Sequence, residues 1–206
     1  MVDYSVELYQ KIPQIVLGFH GCDKSVALDV LNSNDKQLKA STNKYDWLGE
    51  GVYFWLNDPQ RGYEWAVQTH ERDPKKISEP YVLGAVIDLG NCLNFCERNS
   101  VLLLQKAYKE LDSMMQSSGL ALKENKVPDA GGFSLIRPLD CAVISHLHTM
   151  MEKVGVSFDT VYGYFQEGEE AFPGAGIREK SHVQICVRNL SCIKGYFIPK
   201  KIVNKH

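Results

Sequence analysis

The 206-residue chain lacks an excess of either charge: 23 Lys and Arg stand against 25 Asp and Glu, a formal net charge of -2. No polyelectrolyte signature therefore points to a nucleic acid, although a neutral chain can still carry a local basic patch. Long hydrophobic runs are missing too, and no apolar stretch approaches the roughly 20 residues of a membrane-spanning helix. Met1–Gln14 holds acidic and polar residues in place of the apolar centre of a signal peptide. The expectation is a soluble, cytoplasmic protein with no membrane partner. Cys22, Cys92, Cys96, Cys141, Cys186 and Cys192 show no CxxC spacing and no neighbouring histidine, which argues against zinc, so no metal is expected. Those placed among apolar residues, as in Gln184-Ile185-Cys186-Val187, read as small buried hydrophobes of a reducing compartment. Neither GxGxxG nor GxxxxGK[ST] occurs, so the common phosphate-binding loops are absent.

What is present is an ordinary globular composition, 44% hydrophobic and 23% charged, in a length that suits a single domain over 1–206. Gln14–Phe19 is an apolar, β-branched strand candidate ending at His20-Gly21. A helix follows, capped by Asp23 or Ser25, with Val26, Ala27, Val30 and Leu31 at helical spacing. After the polar stretch from Asn32 to Asp46, a second strand is expected over Val52–Leu56. Asn57-Asp58-Pro59 then starts a helix that runs to about Glu71. Tyr81–Leu89 reads as a third strand. Ser100–Ser117 and Pro138–Val154 read as helices, with the polar loop Glu124–Gly132 between them. From Val156 onward the pattern turns to strands: Thr160–Phe165, His182–Arg188 and Ile193–Ile198. Strands at both ends with helices between them predict an α+β domain, and the missing βαβ alternation disfavours a doubly wound sheet.

Three segments stand apart. Gly18-Phe19-His20-Gly21-Cys22 places a histidine and a glycine together, and glycine permits close approach to the backbone. Leu48-Gly49-Glu50-Gly51-Val52-Tyr53-Phe54 is a glycine-bracketed turn that enters an aromatic strand. His182-Val183-Gln184-Ile185-Cys186-Val187 sets a polar residue into an apolar strand. Singly, each has an ordinary structural explanation: a strand end, core packing, a solvent-facing glutamine.

Together, in this order and with His20 and Tyr53 33 positions apart, they resemble the H-Y-[E] type of the ADP-ribosyltransferase superfamily, which includes diphtheria-toxin-like toxins and poly(ADP-ribose) polymerases. The resemblance covers the N-terminal third and the stretch from about Thr160. It implies a split mixed β-sheet with flanking helices, in which about 91–155 would be a helical insertion. It also implies that NAD is the donor substrate. His20 would hydrogen-bond the adenosine ribose, the Gly21 backbone would pair with the nicotinamide amide, and Tyr53 would stack on the nicotinamide ring. Tyr63 or Trp65 would complete the stack.

Where the family often has glutamate this chain has Gln184, which keeps the hydrogen bonding and loses the charge. That disfavours polymer elongation and favours transfer of one ADP-ribose to a protein or nucleic-acid acceptor, in the style of a bacterial or phage-conflict toxin. An occluding antitoxin-type partner accompanies that picture. NAD hydrolysis, an RNA 2′-phosphotransferase using Arg61, Arg137, Arg178 and Arg188, and an inactive binding module of the same fold stand as alternatives. The departure at Gln184 also leaves room for another carboxylate, but Glu167, Glu169, Glu170 and Glu179 read as a solvated loop. Phe172-Pro173-Gly174-Ala175-Gly176 is a candidate loop for covering the pocket or meeting the target.

Overall fold

The computed structural model describes residues 15–33, 35–126 and 136–200. It is an α+β structure in which four helices pack on one mixed sheet of seven strands. In chain order the elements are β1 (Ile15–Asp23), α1 (Lys24–Leu31), β2 (Val52–Leu56), α2 (Pro59–Arg72), β3 (Pro80–Asp88), β4 (Cys92–Asn94), α3 (Arg98–Ser117), α4 (Pro138–Glu152), β5 (Thr160–Phe165), β6 (His182–Val187) and β7 (Ile193–Phe197). The strands lie in the order β4-β5-β6-β2-β1-β3-β7, and every neighbouring pair is antiparallel except β4 with β5. Among the described residues no helix is long and apolar enough to cross a membrane.

Local chemistry accounts for most boundaries. Asp23 caps α1 by accepting from Ser25 N at 2.9 Å, so of the two candidate caps it is the aspartate that serves. Asp58 caps α2 by accepting from Arg61 N at 2.8 Å, with Pro59 in the first turn, where its missing N–H costs nothing. Two sequence expectations are corrected. The first strand does not stop at His20-Gly21 but continues to Asp23, because β3 is long enough to register with it over nine positions, from Ile15↔Asp88 to Asp23↔Pro80. The segment about 91–155 is not wholly helical: Cys92–Asn94 joins the sheet as a short edge strand against β5. The expected Gln14 start of the first strand and most of the Glu124–Gly132 loop lie outside the described residues.

The alternation of side chains gives the sheet two unlike faces. One carries Val52, Phe54, Leu83, Ala85, Ile87, Ile185 and Val187, and α1 covers it with Ala27 and Val30; this is the larger apolar core. The opposite face carries Phe19, Gly21, Tyr53, Trp55, Gln184, His182 and Phe165. Over that face α2 packs on β1 and β3. At its other end α3 and α4 close a second core that contains Leu48, Leu93, Val143, Leu147, Val161 and Cys186. Gln184 and His182 lie between these two helical covers, whereas His20 registers with Leu83 and so belongs to the α1 face.

Candidate functional site

The sheet is nearly parted at its centre. β1 registers with β3 at nine positions but with β2 at two, Gly18↔Leu56 and Phe19↔Trp55. Leu17 O accepts from Asn57 N at 3.0 Å, so Leu17 turns its main-chain groups toward β2. Main-chain direction alternates along a strand, and Gly21 therefore turns its N–H and C=O the same way, beyond the last registered pair. In a continued ladder the Tyr53 carbonyl would take the Gly21 N–H. Here it accepts from His20 Nδ1 at 2.7 Å. The imidazole fills the place of a backbone hydrogen bond, and the two strands diverge around it.

A carbonyl only accepts, so His20 donates from Nδ1. Burial holds its pKa below the ordinary imidazole value, against the opposing pull of the Tyr53 carbonyl. The ring is thus neutral, with Nε2 left as an acceptor. Tyr53 has committed its other end as well. Its hydroxyl donates to Gly49 O at 2.6 Å and accepts from Leu48 N at 2.9 Å, while burial raises the phenol pKa well above normal. The hydroxyl closes the glycine-bracketed turn, and the half-buried ring face is what Tyr53 has left to offer. That turn needs its glycines: Gly49 has φ +82, and a Cβ on Gly51 would stand 2.5 Å from Cys186 Sγ.

The backbone that approaches Gly21 closely is the chain's own. A Cβ there would collide with Gly62 O of α2 and stand 3.2 Å from Trp65 Cε3. Trp65 also faces Trp55, with ring centroids 6.0 Å apart. Tyr63, two residues earlier on the helix, is turned about 200° away and is 43% exposed. Trp65, and not Tyr63, therefore lies beside Gly21.

Gln184 sits opposite Trp55 in the register, one pair along from Tyr53 and Cys186. It does not face solvent. Its Nε2 lies 3.0 Å from His182 Nε2, and His182 Nδ1 lies 2.6 Å from Lys180 O. The carbonyl forces His182 to donate from Nδ1, so its Nε2 accepts from the Gln184 amide. Burial, opposed by the Lys180 carbonyl, keeps the His182 pKa lowered, consistent with this neutral tautomer. The Gln184 amide is thereby oriented, with its oxygen directed away from His182.

Glu167 overturns the expectation of a solvated acidic loop. Arg61 Nη2 donates to both its carboxylate oxygens at 2.7 Å, and the two side chains are 5% and 14% exposed. Glu167 Oε2 also lies 3.9 Å from His182 Nδ1. Glu169, Glu170 and Glu179 are exposed as expected. Beyond them Phe172 and Ile177 are 65% and 61% exposed on a loop pinned by the Glu170↔Arg178 bridge. The guanidinium of Arg61 lies 5.7 Å from the centroid of the Trp55 ring. Arg61 Nε and Nη1 and Trp55 Nε1 are buried and have no hydrogen-bond partner among the described residues.

The four arginines do not converge. Arg137 pairs with Asp140, Arg178 Nη1 donates to Gly168 O, and Arg188 Nη1 bonds His148 and the Phe158 carbonyl. Of the cysteines, Cys22, Cys141, Cys186 and Cys192 are buried, as expected for Cys186 in its apolar setting, Cys92 is half-buried and Cys96 is exposed. No group of three or more His, Cys, Asp or Glu suited to a metal occurs among the described residues. A cavity of about 850 Å³ opens between α3, α4 and β5. Neither His20, Gly21, Tyr53 nor Gln184 lines it. No model of a known protein family, no curated protein and no solved structure matches the chain.

The buried Arg61–Glu167 pair and the His182–Gln184 link were not legible in the motifs. Arg61 and Glu167 are 106 positions apart, and only folding brings them together. A weak signal did exist, in a charged residue three positions into a helix that follows an aromatic strand.

Proposed function

We propose that the chain cleaves the nicotinamide–ribose bond of NAD and transfers a single ADP-ribose to a macromolecular acceptor. The observation that carries this reading is the His20–Tyr53 bond at the parting of β1 and β2. It leaves His20 Nε2 as an acceptor for a ribose hydroxyl, beside the outward-turned main chain of Gly21. Those two groups suit a ribose and a carboxamide respectively, and Trp65 beside Gly21, with Tyr53 on the same sheet face, supplies apolar surface next to the Gly21 main chain. The unpartnered N–H groups of Arg61 and Trp55 are further donors next to the same row of residues. A buried donor without a partner costs about 1–3 kcal/mol, and an oxygen-rich ligand would recover it.

In the reaction the C1′–N bond breaks, and nicotinamide leaves as a neutral molecule with the bonding pair. The oxygen or nitrogen of the acceptor takes C1′, and its proton passes to water. Positive charge develops on the ribose as the bond lengthens. The Glu167 charge is matched by Arg61, so Glu167 acts by fixing Arg61 beside the Gln184–His182 link, and oriented dipoles at the buried site supply the stabilisation. Gln184, held by His182, offers its amide oxygen to ribose hydroxyls. The scattered arginines give no support to phosphate transfer from RNA.

The test is nicotinamide release from NAD, followed by chromatography with and without cell extract, for the parent, His20→Ala and Glu167→Gln. Extract-dependent release that both substitutions abolish is the expected result. Release without extract would mean hydrolysis, and no release under either condition would leave a binding module.

A further inference from the structure

The 850 Å³ cavity takes only Leu48 of the three motifs into its lining, yet it lies against them. Gly163, one of its lining residues, registers directly opposite Gln184, with the Leu48 and Phe165 side chains packed over it. Phe165 is the shared wall: its ring lines the cavity and stands 6.1 Å from the His182 ring. Trp47 packs on Phe165 at 4.4 Å and lines the cavity as well. The volume falls within the roughly 300–1,000 Å³ of small-molecule sites, and the lining is mostly apolar with a few polar groups, as such sites require.

The lining is also selective. Five of its residues are aromatic, among them Phe95 and Tyr108, which favours a flat ring over a saturated chain. Gln105 and Lys109, both exposed on α3, make no side-chain hydrogen bond or ion pair among the described residues. An amide and an ammonium left free at the rim of an aromatic slot match a ring with a polar edge and an anionic substituent. An acyl chain would use neither. Asp140, the acidic group of the lining, is already held by Arg137 and Asn125, so the accessible charge is positive.

We propose that this cavity takes a single nucleotide, its base between the aromatic walls and its phosphate at Lys109, and that this base is the acceptor of ADP-ribose. The identity of the base as acceptor rests on the transferase reading above; the binding itself does not. The source is either a base turned out of a nucleic-acid strand, which is then the macromolecular acceptor, or a free mononucleotide, which would take that acceptor's place. The small net charge of the chain suits recognition of one nucleotide more than tracking along a backbone.

Titration calorimetry without NAD tests it, using AMP, GMP, CMP and UMP and a single-stranded 12-mer of mixed sequence as DNA and as RNA. Saturable binding of at least one mononucleotide is expected. Tyr108→Ala, a half-exposed position that the cores do not depend on, lowers affinity about tenfold through lost stacking. Lys109→Glu lowers it at least as much. A strand that binds more than tenfold tighter than its mononucleotide identifies nucleic acid as the source, and equal affinities identify the free nucleotide. No binding by any probe, or affinity unchanged in both variants, overturns the proposal. Nucleotide binding without any nicotinamide release leaves the cavity assigned and removes the transferase reading; nicotinamide release without nucleotide binding does the reverse.

Discussion

Two histidines two strands apart in the sheet each spend Nδ1–H on a main-chain carbonyl, His20 on Tyr53 and His182 on Lys180. Burial keeps both pKa values lowered. The regions around them nevertheless do different things. At His20 the arrangement ends with an unused Nε2 and an unpaired stretch of β1. At His182 the second nitrogen takes the Gln184 amide, and a buried ion pair stands behind it. One imidazole is left open to a ligand, and the other is consumed in holding its neighbours. The same side chain is a recognition group or a positioning group according to whether its second nitrogen is already answered.

The largest effect should come from breaking the closed region. Arg61→Met strands the Glu167 carboxylate in a buried place, and loss of one partner of such a pair costs about 3–5 kcal/mol. The urea midpoint should drop accordingly, and a midpoint unchanged from the parent would show that the pair is solvated. Acidification comes next. A histidine whose folded pKa lies below its unfolded value adds stability above about pH 6.5, and that stability is lost as pH falls toward the folded pKa. His20, His148 and His182 all have this sign, and His148, held at about 3 by burial and by Arg188, is the extreme case. At 1.36 kcal/mol per pH unit, His148 alone should cost about 2 kcal/mol between pH 6.5 and pH 5. Stability flat over that interval would mean that these rings are protonated in the folded protein.

The open region should behave in the opposite way. His20→Ala should weaken NAD binding about tenfold, the value of one hydrogen bond, and should cost only about 1–3 kcal/mol of stability, for the Tyr53 carbonyl it leaves unpaired. A large stability loss with unchanged NAD affinity would exchange the roles of the two histidines. A finer test of the closed region is Gln184→Glu. It replaces the donor facing His182 Nε2 with a carboxylate, so the imidazolium becomes favoured and the His182 pKa should rise, as NMR titration can follow. If it stays put, the amide does not face that nitrogen. The smallest effect belongs to Tyr63→Ala, an exposed position expected within about 0.5 kcal/mol of the parent in stability. Its NAD affinity should match the parent, while Trp65→Ala weakens binding.

Much of this arrangement was visible in the chain, for reasons that are local. Asp58-Pro59 announces α2 because capping and proline geometry act within one turn. The alternation in β6 shows because the face of Ile185 and Val187 enters the larger core. What was not visible depends on distant partners. His20 looked like a strand end, since the length of β3 that carries β1 onward lies some sixty residues away. Glu167 looked solvated because its neighbours in sequence are, and the arginine that buries it comes from the start of α2. Cys92–Asn94 is too short to show a strand period, and it is a strand because β5 is there to pair with it. Cys96 sits two residues past that strand, next to Glu97 and Arg98, and is exposed.

The parting of β1 from β2 has a further consequence, for how the protein meets other chains. Unpaired main-chain groups at the outer edge of a sheet invite any extended segment to add itself as a further strand. Here the free groups of Gly21 lie in the interior of the sheet, with β3 on one side, β2 on the other and the Gly62 turn of α2 overhead. A foreign strand has no run of backbone to follow there, because Phe19 and Trp55 close the ladder at one end. The parting is therefore no edge: it lacks the run of open backbone that a further strand would need.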